Sequence, residues 1–94
     1  METTIEPTIG RDVWYVSPLE DGIKCDGIQP LTAKICFVWP DGAVNLSVHD
    51  ADGNHHALIS VPLFQGDHAD CPPSACCWMP YQQKKAAEEA EVKE

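Results

Sequence analysis

Four side chains that could hold a soft metal fall between residues 68 and 77: His68, Cys71, Cys76 and Cys77, with Asp67 and Asp70 beside them. Thiolate and imidazole are zinc ligands. A structural zinc site normally draws on a tight Cys-x2-Cys pair, whereas the spacing here is His-x2-Cys-x4-Cys-Cys. Neighbouring side chains on a strand face opposite ways, so only one of the adjacent cysteines can join. The candidate metal set is therefore His68, Cys71 and Cys76. The competing reading fits the spacing better: a strand that closes a small barrel, with one thiol in the core and one at the surface. A small zinc-binding module stays as an alternative, and the expected cofactor is none.

Other constellations are weaker. A nucleophilic cysteine needs a lowered pKa and a positioned base. Cations are sparse and no catalytic signature appears, so the chain is not expected to be an enzyme. His49, His55 and His56 read as strand and turn residues. "DADGN" (50–54) echoes part of a calcium loop but lacks its spacing and closing glutamate. It reads as a turn in which Asp50 and its neighbours bond their own backbone.

The aromatics are numerous for so small a body: Trp14, Tyr15, Trp39, Trp78 and Tyr81. Exposed rings on small barrels stack on ligands or partner side chains. Trp39 and Trp78 are expected to pack the core and the barrel ends, with Trp78 as an anchor. Tyr15 and Tyr81 are expected at the surface. With the cations they give a candidate contact set of Arg11, Tyr15, Lys24, Lys34, Trp78 and Tyr81.

The elements that must position these residues are strands. "RDVWYVSP" (11–18) opens the body and "LEDGIKCDGIQP" (19–30) is a loop long enough to be functional. "LTAKICFVW" (31–39) alternates, with Leu31, Ala33, Ile35, Phe37 and Trp39 on one face. "PDG" turns it into "AVNLSVHD" (43–50), and "ADGN" turns that into "HHALISVPL" (55–63), with Ala57, Ile59 and Val61 on one face. A Pro-rich loop (64–75) leads to a last short strand, "CCWMPY" (76–81). The fold class is all-β: a small SH3-like five-stranded barrel or meander. Residues 1–10 read as a flexible lead, 11–81 as the barrel domain, and 82–94 as a charged tail, helical or disordered. The two long loops are the natural binding surface.

The formal charge is −9. Residues 10–81 carry nine acids against three bases, which gives −6, so the acidity lies on the body. Direct nucleic-acid binding needs a basic footprint and is not expected. Acidity serves solubility or docking on a basic protein surface. Five cysteines, an odd number, argue for free thiols over a disulfide framework. No apolar run approaches a membrane span and no signal-like segment opens the sequence, so a cytoplasmic protein without membrane contact is expected.

"GRDVWYVSP", "LTAKICFVW", "GAVNLSVHDADG", "SVP" and "CCWMPYQ" resemble a family of small proteins from tailed bacteriophages and prophages. That family shows a Gly-Arg-x-Val-x-Tyr opening, a Val-Asn-Leu-x-Val strand, a Ser-Val-Pro step and a Trp-x-Trp-x-Pro-like ending. The resemblance spans roughly residues 10–82, and Cys76 stands where the ending has its first aromatic. It implies phage origin and a place in the host cytoplasm rather than a mechanism. The expected function is a non-enzymatic accessory protein that binds a host component, as an inhibitor of antiviral defence. It would occlude a host protein, or sequester a small nucleotide signal in a pocket at a homo-oligomer interface. The alternative is a minor structural component docking on virion proteins.

Overall fold

The computed structural model describes residues 5–92. The alternating runs form β1 (Asp12–Val16), β2 (Leu31–Val38), β3 (Val44–His49) and β4 (His55–Val61). β5 (Leu63–Phe64) and β6 (Ala75–Cys77) are shorter, and a helix, α1 (Pro80–Val92), follows. The strands make one sheet in the order β4-β3-β2-β1-β6-β5. Every pair is antiparallel except β5 and β6, which run parallel. The sheet curls into a half-barrel, as expected of a small all-β protein, but with six strands rather than five. The extra strand exists because Pro62 ends β4 and the chain turns to lay Leu63 and Phe64 against Cys76 and Cys77.

The concave face holds the core. Val13, Ile35, Leu46, Val48, Cys76 and Trp78 are each 2% exposed or less. Burying side chains of this size stabilises by about 1.5–3 kcal/mol each. Alternation holds through Leu31, Ala33 and Ile35 and then breaks. Between Ile35 and Phe37 the strand gains a residue against β3, and a bulge of this kind shifts the side-chain phase by one. Phe37 and Trp39, expected inside, are therefore exposed, and Val38 packs against the core instead. β4 has a second bulge. Ile59 and Ser60 together oppose Asn45, with Ser60 at φ 56°. Leu58 consequently faces the core, while Ala57 and Ile59, expected to share a face with Val61, lie outside, Ile59 74% exposed. The amide oxygen of Asn45 accepts from Trp39 Nε1 at 2.8 Å and from the Ser60 N–H at 2.9 Å, joining the two irregularities.

Both ends of the domain are tied down more firmly than their composition suggests. Ile5 is buried, donates its N–H to Gln65 Oε1 and accepts from Gln65 Nε2. The lead is thus part of the body from residue 5; Met1–Thr4 lie outside the described residues. Pro80 opens α1 at the position where its missing N–H costs nothing. The Gln82 side chain reaches back to the Met79 N–H at 2.7 Å, as a capping residue does. Gln82 also donates to Asp12 O and Gln83 to Gly66 O, and Ala86 packs against the core. The tail is therefore helical through Val92, and its first turns belong to the folded body; residues 93–94 lie outside the described residues.

Candidate functional site

The long loop between β1 and β2 is built by two aspartates. Asp21 accepts from the Ser17 hydroxyl at 2.9 Å, the Ile23 N–H at 3.1 Å and the Tyr15 hydroxyl at 2.8 Å. Burial works to raise its carboxyl, but these donors outweigh it and hold the group below the ordinary carboxylate range. Asp26 accepts from the N–H groups of Ile28 and Gln29 and from the Gln29 side chain, which hold its carboxyl down as well. Ile23 plugs the loop into the core. Lys24 O accepts from the Ala51 N–H, and Lys24 Nζ sits 2.9 Å from Asp52. The loop is therefore held in place by its own hydrogen bonds and packing.

The Pro-rich loop folds over the other face of β6. Asp67 caps a single 3₁₀ turn, His68–Asp70, by accepting from the Ala69 N–H. The ring of His68 stands edge-on to Trp14 at 5.8 Å between centroids. Between the two loops lies a cleft of about 270 Å³. Trp14, Val16 and Cys77 form its floor, Cys25 and Ile28 to Pro30 one wall, and His68, Ala69 and Cys71 the other. No Asp, Glu, Lys or Arg lines it. Ile28 stands at its edge, 88% exposed. The volume lies just below the roughly 300–1,000 Å³ typical of drug-sized pockets, so the cleft suits one protruding side chain.

The expected contact residues go to different places. Tyr15, expected at the surface, is 3% exposed, because odd-numbered residues of β1 face the core. Burial first, then the bond to anionic Asp21, pushes its hydroxyl up to about 12. Trp78 is wholly buried and donates to Gln65 Oε1, so it anchors the core and is not a contact residue. Arg11 lies over its ring at 5.7 Å. Lys34 pairs with Asp12 at 3.0 Å and Lys24 with Asp52. The three cations thus engage three different partners, and none lines the cleft. Tyr81 is exposed as expected, at 66%, on the first turn of α1.

The metal set His68, Cys71 and Cys76 is not assembled. Cys76 faces the core, with its thiol toward Pro62 O at 3.4 Å, while His68 and Cys71 line the cleft. Cys77, expected at the surface if Cys76 is inside, is also buried, because the Pro-rich loop covers the outer face of β6. Among the described residues no group of three or more His, Cys, Asp or Glu side chains could hold a metal ion. Burial pushes the thiols of Cys76 and Cys77 up to about 12 and raises that of Cys71, which leaves them protonated at neutral pH and poor nucleophiles. In the Asp50 turn, Asp50 accepts from the N–H groups of Asp52 and Asn54, as the sequence suggests, and Oδ2 lies 3.0 Å from His56 Nε2.

Comparison with protein-family models, with curated proteins and with solved structures finds no match. No helix among the described residues is long and apolar enough to cross a membrane.

Proposed function

We propose that the protein is a non-enzymatic binding module that docks on another protein and grips one apolar side chain in the cleft between its two long loops. The observation that carries this reading is an uncharged, pre-formed cleft on a chain of net charge −9, with Ile28 standing proud at its edge. A rigid loop frame lowers the ordering cost of binding. The protonated thiols support a binding role over nucleophilic chemistry. Together with the phage-like motifs, the reading is that of an accessory protein which occludes a host protein. Nucleotide sequestration would need Arg11, Lys24 and Lys34 to gather on one pocket, and their separate engagements favour the protein partner.

The test is affinity capture from host lysate with the wild-type chain and with Ile28→Glu, which sits on the exposed rim and leaves the core untouched. A protein retained by the wild type and lost with Ile28→Glu supports the reading. Identical capture by both chains refutes it. A thermal shift produced by cyclic or linear nucleotides would favour the sequestration reading instead.

A further inference from the structure

We propose that a second surface, the open groove at the corner where β4 turns into β5, is a docking site for a cationic, partly apolar peptide segment of a partner protein. The groove has a volume of about 600 Å³ and shares no lining residue with the loop cleft. Its apolar surface comes from Ile5, Pro7, Pro62 and Leu63, and its charge from Glu6 and Asp41. The proposal therefore stands whether or not the cleft binds a partner.

Charge complementarity decides the occupant. Asp12, Asp52 and Asp50 sit against Lys34, Lys24 and His56. At the groove, among the described residues, neither Glu6 nor Asp41 has a cation within salt-bridge distance. Asp41 uses Oδ1 to accept from the Ala43 N–H, which fixes the carboxylate at the hairpin turn. Both residues are exposed, so an incoming cation reaches them without breaking an existing pair. Phosphate backbones and anionic lipid headgroups are repelled by the same charges.

Hydrogen bonds link the groove's lining to an exposed aromatic and aliphatic patch. Ser60 lines the groove and bonds Asn45, which in turn accepts from Trp39. Trp39 and Phe37 meet edge-to-face at 4.8 Å, and Ile59 precedes Ser60. The two bulges therefore turn Phe37, Trp39 and Ile59 out of the core, and the Trp39 backbone bonds Ala43 and Gly42, which line the groove. Guanidinium groups stack on indole and pair with carboxylates, so a segment that alternates arginine with an aliphatic residue matches both halves of the surface.

The probe is a fluorescein-labelled peptide, Ser-Gly-Leu-Arg-Leu-Arg-Gly-Ser, titrated with the full chain and followed by anisotropy at low salt. Saturable binding is expected. It should weaken about tenfold in the Glu6→Gln/Asp41→Asn double variant, which removes two exposed ion pairs and keeps the turn acceptor. It should weaken also in Ile59→Ser and stay unchanged in Ile28→Glu. Replacing both arginines of the peptide by citrulline should reproduce the loss. Equal binding by the double variant, equal binding of the citrulline peptide, or no saturable binding overturns the proposal. So does a native mass showing a dimer that Glu6→Gln/Asp41→Asn returns to monomer, because the occupant would then be Lys84 and Lys85 of a second copy.

Discussion

Replacing Tyr15 by Phe removes one hydroxyl from the core and leaves the ring in place. The hydroxyl donates at 2.8 Å to Asp21, which also accepts from Ser17 and from the Ile23 N–H. A hydrogen bond to a charged acceptor contributes about 1.5–3 kcal/mol, and water access to Asp21 places this one at the low end. Tyr15→Phe should therefore lower stability by about 1–2 kcal/mol, which for a domain of this size lowers Tm by roughly 4–16 °C. The pH dependence follows from both partners. Asp21 is held below its ordinary pKa, so its contribution is complete above the unfolded value near 4 and fades as pH falls through the folded one. Tyr15 is raised from 10 to about 12, so its contribution is complete below 10 and fades as pH rises through 12. Urea unfolding of wild type and Tyr15→Phe should then differ by a constant amount in the middle of the pH range, with the gap closing at both ends. The double-mutant cycle with Asp21→Ala should give a coupling of about 1 kcal/mol. Additivity of the two substitutions within about 0.3 kcal/mol would refute the reasoning, because Tyr15 would then not be what holds the loop.

Gln65→Ala should cost about 1–3 kcal/mol in urea unfolding, since it strands the buried Trp78 N–H and releases both backbone bonds to Ile5. Alkylation of the native chain by iodoacetamide at pH 8 should reach the exposed Cys36 first, with Cys76 and Cys77 roughly a thousandfold slower because burial keeps them protonated; peptide mass mapping distinguishes the sites, and equal rates would refute the burial. The hydrogen bond from His56 first, opposed by burial and joined by the turn N–H groups, holds Asp50 at about 2. Its stabilisation is complete above pH 4 and lost as pH falls through 2. The stability gap between wild type and Asp50→Asn should accordingly close in acid, and a gap constant from pH 7 to pH 2 would show that Asp50 does not titrate as described.

The strands were legible because Leu31, Ala33 and Ile35, or Val44, Leu46 and Val48, keep a period of two that sterics enforce. What hid the surface was the pair of bulges. Nothing in "ICFVW" or "ALISV" marks the inserted residue, and one insertion exchanges the faces of everything beyond it. For that reason the alternation alone groups Phe37 and Trp39 with Ile35, and Ile59 with Val61, on one face each. Tyr15 and Trp14 show the reverse limit. Adjacency says that one faces in, and only the registers Tyr15–Leu31 and Tyr15–Cys76 say which. The two long loops were legible as loops from their length and turn residues. Their convergence on one cleft was not, since it depends on β6 pairing with β1 across some sixty residues of chain.

The acidity of the body takes on a different meaning once its partners are known. Asp21, Asp26, Asp41, Asp50 and Asp67 each accept from a backbone N–H within four residues, and Asp12 and Asp52 pair with lysines. These seven include every aspartate of the body except Asp70. Much of that charge comes from Asp-built turns, in which the Asp side chain accepts backbone N–H groups, beside a glycine at positive φ in the loops at Asp21, Asp26 and Asp41. A surface that imitates nucleic acid would instead need contiguous carboxylates free to meet a partner. What remains after the turns are built is narrower: an uncharged cleft between two Asp-pinned loops, and one groove where Glu6 and Asp41 face outward beside Trp39. On the proposed readings, recognition rests on shape and a few side chains, and affinity should depend on salt at the groove and not at the cleft.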